Sequence, residues 1–195
     1  KKTNIVFICS PNSTHFKYIL ELHKGRYIFC EKPPVQNIKE LKKLAKINNK
    51  HIYYNFNLRK SLISNSFRKT LELDFGKLIN ANLTISHRLA HKKEYVNNWR
   101  SNIITCPRGI FEIVSIHFLD LIAYYFPIEK VESNKLLNLS GIGDSYDTAE
   151  TIIKLDSGGR VKIFSSYCGP YNFQGSLLFE NGILEFDPAK IVFRG

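Results

Sequence analysis

Methionine is absent from the 195 residues, tryptophan occurs once, and cysteine occurs four times, as Cys9, Cys30, Cys106 and Cys168. The missing initial methionine points to a processed or cut chain. No two cysteines form a C-x-x-C pair and no ligand cluster surrounds them, so no metal site is expected. They read as reduced, partly buried thiols of a cytoplasmic protein. No apolar run approaches the roughly 20 residues needed to span a bilayer, which argues against a membrane helix. The start, Lys1-Lys2-Thr3-Asn4, runs straight into an apolar segment and lacks a signal-peptide pattern. Acids are few: 17 against 28 lysines and arginines, a formal charge of +11. That balance suits an anionic partner. Yet the lysines scatter over a helix face, as at Lys39, Lys42, Lys43 and Lys46, and the aromatics fall in apolar runs rather than between basic residues. Nucleic acid is therefore not an expected partner. No repeat or low-complexity segment is present.

What is there begins with Ile5–Cys9, an unbroken apolar run of the kind buried on both faces of a sheet. Ser10-Pro11-Asn12 breaks it, and Ser10, Asn12 or Ser13 can cap the helix that follows. Phe16, Ile19 and Leu20 share a helical face, and Gly25 stops the helix. Tyr27–Cys30 is a second apolar strand, ending in Glu31-Lys32-Pro33. Strand, helix and strand make a βαβ unit with parallel strands. Asn37 then caps a helix to about Asn48, with Ile38, Leu41, Leu44 and Ala45 as its apolar face, before a strand over Ile52–Phe56. Ligands of such sheets bind outside the carboxyl ends of the strands, where Ser10–His15 and Glu31–Pro33 fall.

S-P-N-x-x-H followed by G-x-x-x-x-C-E-K-P resembles the glucose–fructose oxidoreductase / inositol dehydrogenase family, Gfo/Idh/MocA. The resemblance implies an NAD(P)-dependent oxidoreductase of sugars or sugar derivatives. It implies that Lys32 lies between nicotinamide and substrate, that the bond before Pro33 is cis, and that Glu31 borders the same site. It places Ser10, Pro11, Asn12 and His15 beside the nicotinamide ribose, and Asn57 and Arg59 in a turn close to the cofactor. On this reading residues 1–56 are the C-terminal half of a dinucleotide-binding domain. The first half would open with a G-x-G-x-x-G turn. No such turn occurs; Gly141-Ile142-Gly143 is the nearest. Ile5–Cys9 is then expected to carry an apolar edge covered by a preceding segment or a partner.

Ser61–Asp74 reads as a helix with Leu62, Ile63, Phe67 and Leu71 apolar, ended by Gly76. From Lys77 the period becomes two, a half-buried strand opening a second domain over residues 57–195. Ala90–Asn98 is polar and loop-like. Trp99-Arg100 resembles a family pair whose arginine approaches cofactor or substrate; a packing anchor is the alternative. Gly109–Phe126 is apolar nearly all round and should form a buried helix. His117 and Asp120 within it share a face. They match the last polar positions of the family pattern D-x-x-x-H-x-x-D, with Ile113 where its first aspartate would stand. The resemblance makes His117 the acid/base for a substrate hydroxyl, with Lys32 assisting.

The remainder is strand and turn: Val131–Leu139, Thr148–Leu155, Arg160–Tyr167, Ser176–Glu180 and Ile183–Phe186, with Ser157-Gly158-Gly159 and Asn181-Gly182 as hairpin turns. The expected fold is therefore α/β plus α+β: a partial Rossmann-like parallel sheet, then a mainly antiparallel sheet with a buried helix. The resemblance adds a sugar or nucleotide-sugar-like substrate, NAD or NADP as cofactor, and a homo-oligomer formed through the open sheet face. It also makes the C-terminus look clipped. The alternative is a non-catalytic binding or assembly module that kept the fold.

Overall fold

The computed structural model describes residues 4–47 and 50–195. The chain divides into two compact units. One ends at Phe56 and includes Ile104–Cys106; the other comprises Asn57–Ile103 and Pro107–Gly195.

The first unit runs β1 (Ile5–Ile8), α1 (Asn12–Leu22), β2 (Tyr27–Cys30), α2 (Ile38–Leu44) and β3 (Ile52–Tyr54). The strands are parallel in the order β1-β2-β3, with Ile5 opposite Tyr27 and Ile28 opposite Ile52. Two successive crossovers of one hand put both helices on one face. That face closes a core of Ile8, Ile19, Ile28, Cys30, Leu44 and Ile52. The expectation that β1 is buried on both faces is corrected here. Ile5 is 52% exposed and Phe7 69%, and Phe7, Phe29 and Tyr53 stack in a row on the uncovered face. Helix α2 begins as expected, Asn37 accepting from Glu40 N–H at 3.0 Å. Of its expected apolar face only Leu44 is buried. The helix ends at Leu44, short of the expected end near Asn48, a residue that itself lies outside the described ones. Helix α1 starts after Pro11 with no side-chain cap, so none of Ser10, Asn12 and Ser13 caps it.

The second unit contains α3 (Leu62–Glu72), β4 (Leu78–Ser86), a π-helical turn (Phe111–Ser115) leading into α4 (Ile116–Tyr125), β5 (Ile128–Leu137), β6 (Thr148–Leu155), β7 (Arg160–Ser166), β8 (Asn172–Phe179), β9 (Ile183–Phe186) and β10 (Ile191–Arg194). Its seven strands lie in the order β10-β9-β8-β4-β7-β6-β5. The sheet is mixed: β4 and β7 are parallel at its centre, while the other neighbouring pairs are antiparallel. Helices α3 and α4 cover one face, burying Phe67, Phe118, Leu121 and Ile122 against Ala81, Leu83, Val161, Ile163 and Leu177. The strict alternation expected along β4 fails at its start, where the register with β8 shifts between Leu78 and Asn80. This bulge takes up Ile79, so Leu78 and Ala81 both face the core. Helix α3 ends two residues before the expected Asp74, which instead turns the chain at φ +52°. Gly182 is not a positive-φ turn residue; a Cβ there would meet the Phe75 ring at 2.6 Å.

Candidate active site

In the first unit the two motif turns are tied together by one buried side chain. His15 Nε2 lies 2.7 Å from Ser10 O, and Nδ1 lies 2.8 Å from Pro33 O. The ring is thereby spent on the protein's own carbonyls and fixes the carboxyl end of β1 against the turn after β2. The Lys32–Pro33 peptide bond is cis. Asn55 Nδ2 donates to Glu31 Oε1 at 2.6 Å, which ties the ends of β2 and β3 in the same way. Asn12, at the start of α1, is 4% exposed, yet its Nδ2 has no hydrogen-bond partner among the described residues. A buried amide without a partner costs about 1–3 kcal/mol, and the described residues supply no acceptor for this donor. Beneath the turns, burial, with smaller contributions from Glu31 and Cys9, pushes the Cys30 thiol up to about 12. That thiol is inert packing.

In the second unit the carboxyl ends of β4 and β7 lie side by side, Ser86 opposite Ser166. The π-helical turn is anchored there: Ser115 Oγ donates to Ser165 Oγ at 2.9 Å, both fully buried. Gly109 begins this segment at φ +51°, where Ile110 N–H donates to Tyr146 O at 2.8 Å. Local π-helical turns often mark functional positions. This one precedes His117, which is half-buried on α4. Asp120, expected beside His117 as a catalytic group, is clamped by Arg59. Arg59 Nε reaches Asp120 Oδ2 at 2.8 Å and Nη2 reaches Oδ1 at 2.6 Å. The guanidinium also lies 4.7 Å from the Tyr124 ring centre. The Asp120 bonds outweigh partial burial and raise the Arg59 pKa above its ordinary value. Arg59 thus joins the turn at Asn57–Lys60 to α4, and its charge is matched within this unit. Asn57 stands at the exposed start of that turn. Ile113 lies in an apolar cluster with Ile110, Val114 and Tyr167, not in a polar relay.

The Arg100 guanidinium stacks 4.4 Å above the Trp99 ring, on a short turn capped by Asn98. Among the described residues, this unit includes two concavities of note. One of about 350 Å³ is lined by Asn82, Thr84, Gln174 and Ser176 on the open sheet face, and one of about 530 Å³ by Leu58, Leu62, Phe173 and Pro188. Neither is lined by His117, Asp120 or Arg100. Sequence reading missed His87, whose ring packs 4.8 Å from that of Tyr167. The available signal was a run rich in lysine, arginine and histidine, His87, Arg88, His91, Lys92 and Lys93, directly after a half-buried strand.

Residues 1–56 match the model of an oxidoreductase family with an NAD-binding Rossmann fold, Gfo/Idh/MocA. The expected resemblance holds. Among solved structures, an inositol dehydrogenase homologue from Azotobacter vinelandii complexed with NAD⁺ aligns over 98% of this chain and 54% of its own, with 19% identity and a TM-score of 0.84. A levoglucosan dehydrogenase in complex with NADH and levoglucosan aligns over 98% of this chain and 60% of its own, with 18% identity and a TM-score of 0.83. An NAD-binding oxidoreductase from Klebsiella pneumoniae aligns over 94% and 54%, with 17% identity and a TM-score of 0.79. At these identities the likeness is one of fold, and the chain spans a little over half the length of these relatives. No curated protein matches it. Among the described residues no helix is long and apolar enough to cross a membrane, and no group of His, Cys, Asp and Glu could hold a metal ion.

Proposed function

We propose that the protein is an NAD(P)-dependent oxidoreductase acting on a sugar or nucleotide-sugar-like alcohol. The observation that carries this reading is that His15 fastens the turn after β1 to the turn after β2, with the buried Asn12 Nδ2 unpartnered at the start of α1. A ribose hydroxyl or nicotinamide carboxamide is an acceptor that fits such a donor. Ser10, Pro11 and Asn12 then border the nicotinamide ribose, with Glu31, Lys32 and Pro33 forming the adjoining turn. When bound, the nicotinamide supplies the hydride acceptor or donor. The solved structures that resemble this chain include proteins bound to NAD⁺, NADH, myo-inositol and levoglucosan, which supports both the cofactor and the polyol class.

His117 takes or returns the substrate hydroxyl proton, and Lys32 orients that hydroxyl. Asp120 and Arg59 act as positioning residues that set the rotation of α4. Trp99 and Arg100 face the bound ligands. The open face of the large sheet serves a homo-oligomer. A second reading, a non-catalytic module, is favoured by one observation: Ile113 sits in an apolar cluster where a relay carboxylate would be needed.

The test is a fluorescence titration with NADH and then NADPH, set against Lys32→Ala. Saturable binding by the parent chain, with turnover of polyols lost in Lys32→Ala and the fold intact, is expected. Absence of binding in a folded sample would leave the module reading. His117→Asn should lower turnover more than cofactor affinity; the reverse order would remove His117 from proton transfer.

A further inference from the structure

On the open face of the large sheet the charged side chains of β6 and β7 are paired. Lys162 reaches Glu150 at 2.5 Å, Arg160 reaches Glu132 at 3.1 Å, and Lys154 reaches Glu129 at 2.7 Å. The pattern changes across β4, β8 and β9, around the concavity of about 350 Å³. Asn82 stands opposite Ser176 and Thr84 opposite Gln174 in the β4–β8 pairing, and Ser176 stands opposite Glu185 in the β8–β9 pairing. Directly opposed residues share a face, so these side chains form adjacent rows. Asn82, Thr84, Gln174 and Ser176 all line the concavity, and their side chains make no hydrogen bond among the described residues.

Gly175 lines the same concavity with backbone alone. Its Cβ position faces the core, where a side chain would meet the Phe186 ring and approach Leu83 Cδ2 to 2.7 Å. Glycine inside a strand marks such a close approach. Asp187 and Lys190, from the turn between β9 and β10, add to the lining. That turn is fixed by its own bonds. Asp187 Oδ1 accepts from Ala189 N–H at 2.8 Å and from Lys190 N–H at 3.0 Å, and Asp187 N–H donates to Lys190 O at 3.0 Å. The carboxylates here are engaged: Glu185 pairs with Arg194 at 2.5 Å, and Asp187 is occupied by the turn. What the concavity offers a ligand is therefore a set of neutral amides and hydroxyls, with one lysine at its exposed side.

We propose that this concavity binds a neutral polyhydroxylated ligand of monosaccharide size, apart from the residues assigned to proton transfer. Each amide carries both donors and an acceptor, and each hydroxyl can do either. A sugar or polyol presents a dense array of hydroxyls with the same double capacity. The volume lies at the low end of small-ligand sites, about 300–1,000 Å³, which suits one sugar ring and not a dinucleotide. The engaged carboxylates leave no net charge to select an ionic ligand. The site is independent of the oxidoreductase reading and holds whether or not the chain transfers hydride. Strands β7, β6 and β5 remain for contact with a second copy.

The test is a nuclear magnetic resonance titration of the whole, isotopically labelled chain with glucose, myo-inositol and glucose 6-phosphate at matched ionic strength. Saturable shifts of the Gly175, Ser176 and Lys190 amides are expected with glucose or myo-inositol, and glucose 6-phosphate should bind no more tightly than glucose. Asn82→Ala and Gln174→Ala should each raise the Kd by roughly 2–10-fold. Both side chains are exposed, so neither change should disturb the fold. Lys162→Gln, on the paired part of the same face, should leave the Kd unchanged. Absence of shifts, shifts confined to residues outside the concavity, an unchanged Kd in both alanine variants, or a preference for the phosphate would each overturn the proposal. Shifts of these three amides that follow protein concentration rather than sugar would assign the concavity to a second copy and sink it.

Discussion

At Gly109 the backbone passes so close to its neighbour that a Cβ would lie 1.9 Å from Tyr146 O, at a φ of +51°. Both the contact and the left-handed backbone exclude a side chain. Gly109→Ala should therefore cost roughly 2–4 kcal/mol, read as a lower urea midpoint; a change under about 0.5 kcal/mol would mean that the turn relaxes freely. Asp147 carries a different kind of constraint. Burial raises its carboxyl pKa, but bonds from Ser140, Leu139 and Thr148 prevail and hold it below the usual carboxylate range. A depressed folded-state value stabilises the protein above the unfolded value of about 3.9 and loses that contribution as pH falls below it. Asp147→Asn should cost about 1–3 kcal/mol at neutral pH and flatten the acid limb of stability against pH. An acid limb as steep as the parent's would place that dependence on another carboxylate.

Helix α4 is held in rotation by a clamp rather than by packing alone. Asp120 is largely buried, and both its oxygens face the Arg59 fork. Removing Arg59 leaves a partly buried carboxylate without its cation, so Arg59→Ala should destabilise by about 1–3 kcal/mol, discounted for the exposed guanidinium. Arg59→Lys should recover only part, because a single ammonium cannot meet two oxygens at once. Full recovery by lysine would show that charge rather than fork geometry positions the helix. The βαβ order, the Asn37 cap and the start of β4 were all legible in the chain, because each is written in neighbouring residues. The parallel pairing of β4 with β7 was not. It joins segments far apart in sequence, and alternation names the buried face of a strand without naming its neighbour. The same limit hid the site. Asp120 was legible as a polar residue sharing a helical face with His117, while its partner Arg59 lay 61 positions away. Ala90–Asn98 read as a polar loop, and its packing on Tyr167, 72 positions beyond Tyr95, was not legible.

The two units carry separate cores of very different size. Among the described residues, the first closes over six buried residues from Ile8 to Ile52, with one face of its sheet left to an exposed aromatic row. The second buries two clusters, the larger running from Ile63 to Phe186. Small cores retain little stability after conformational entropy is met, so the first unit should unfold at lower denaturant. Trp99 belongs to the second unit, whereas helices α1 and α2 contribute to far-ultraviolet circular dichroism from the first. In a urea titration the dichroism should begin to fall before Trp99 emission changes, giving transitions that do not coincide. Coincident transitions would show that the units unfold as one. NADH distinguishes the cases further, because a ligand held by the turns of the first unit should move the earlier transition upward by mass action and leave the later one in place.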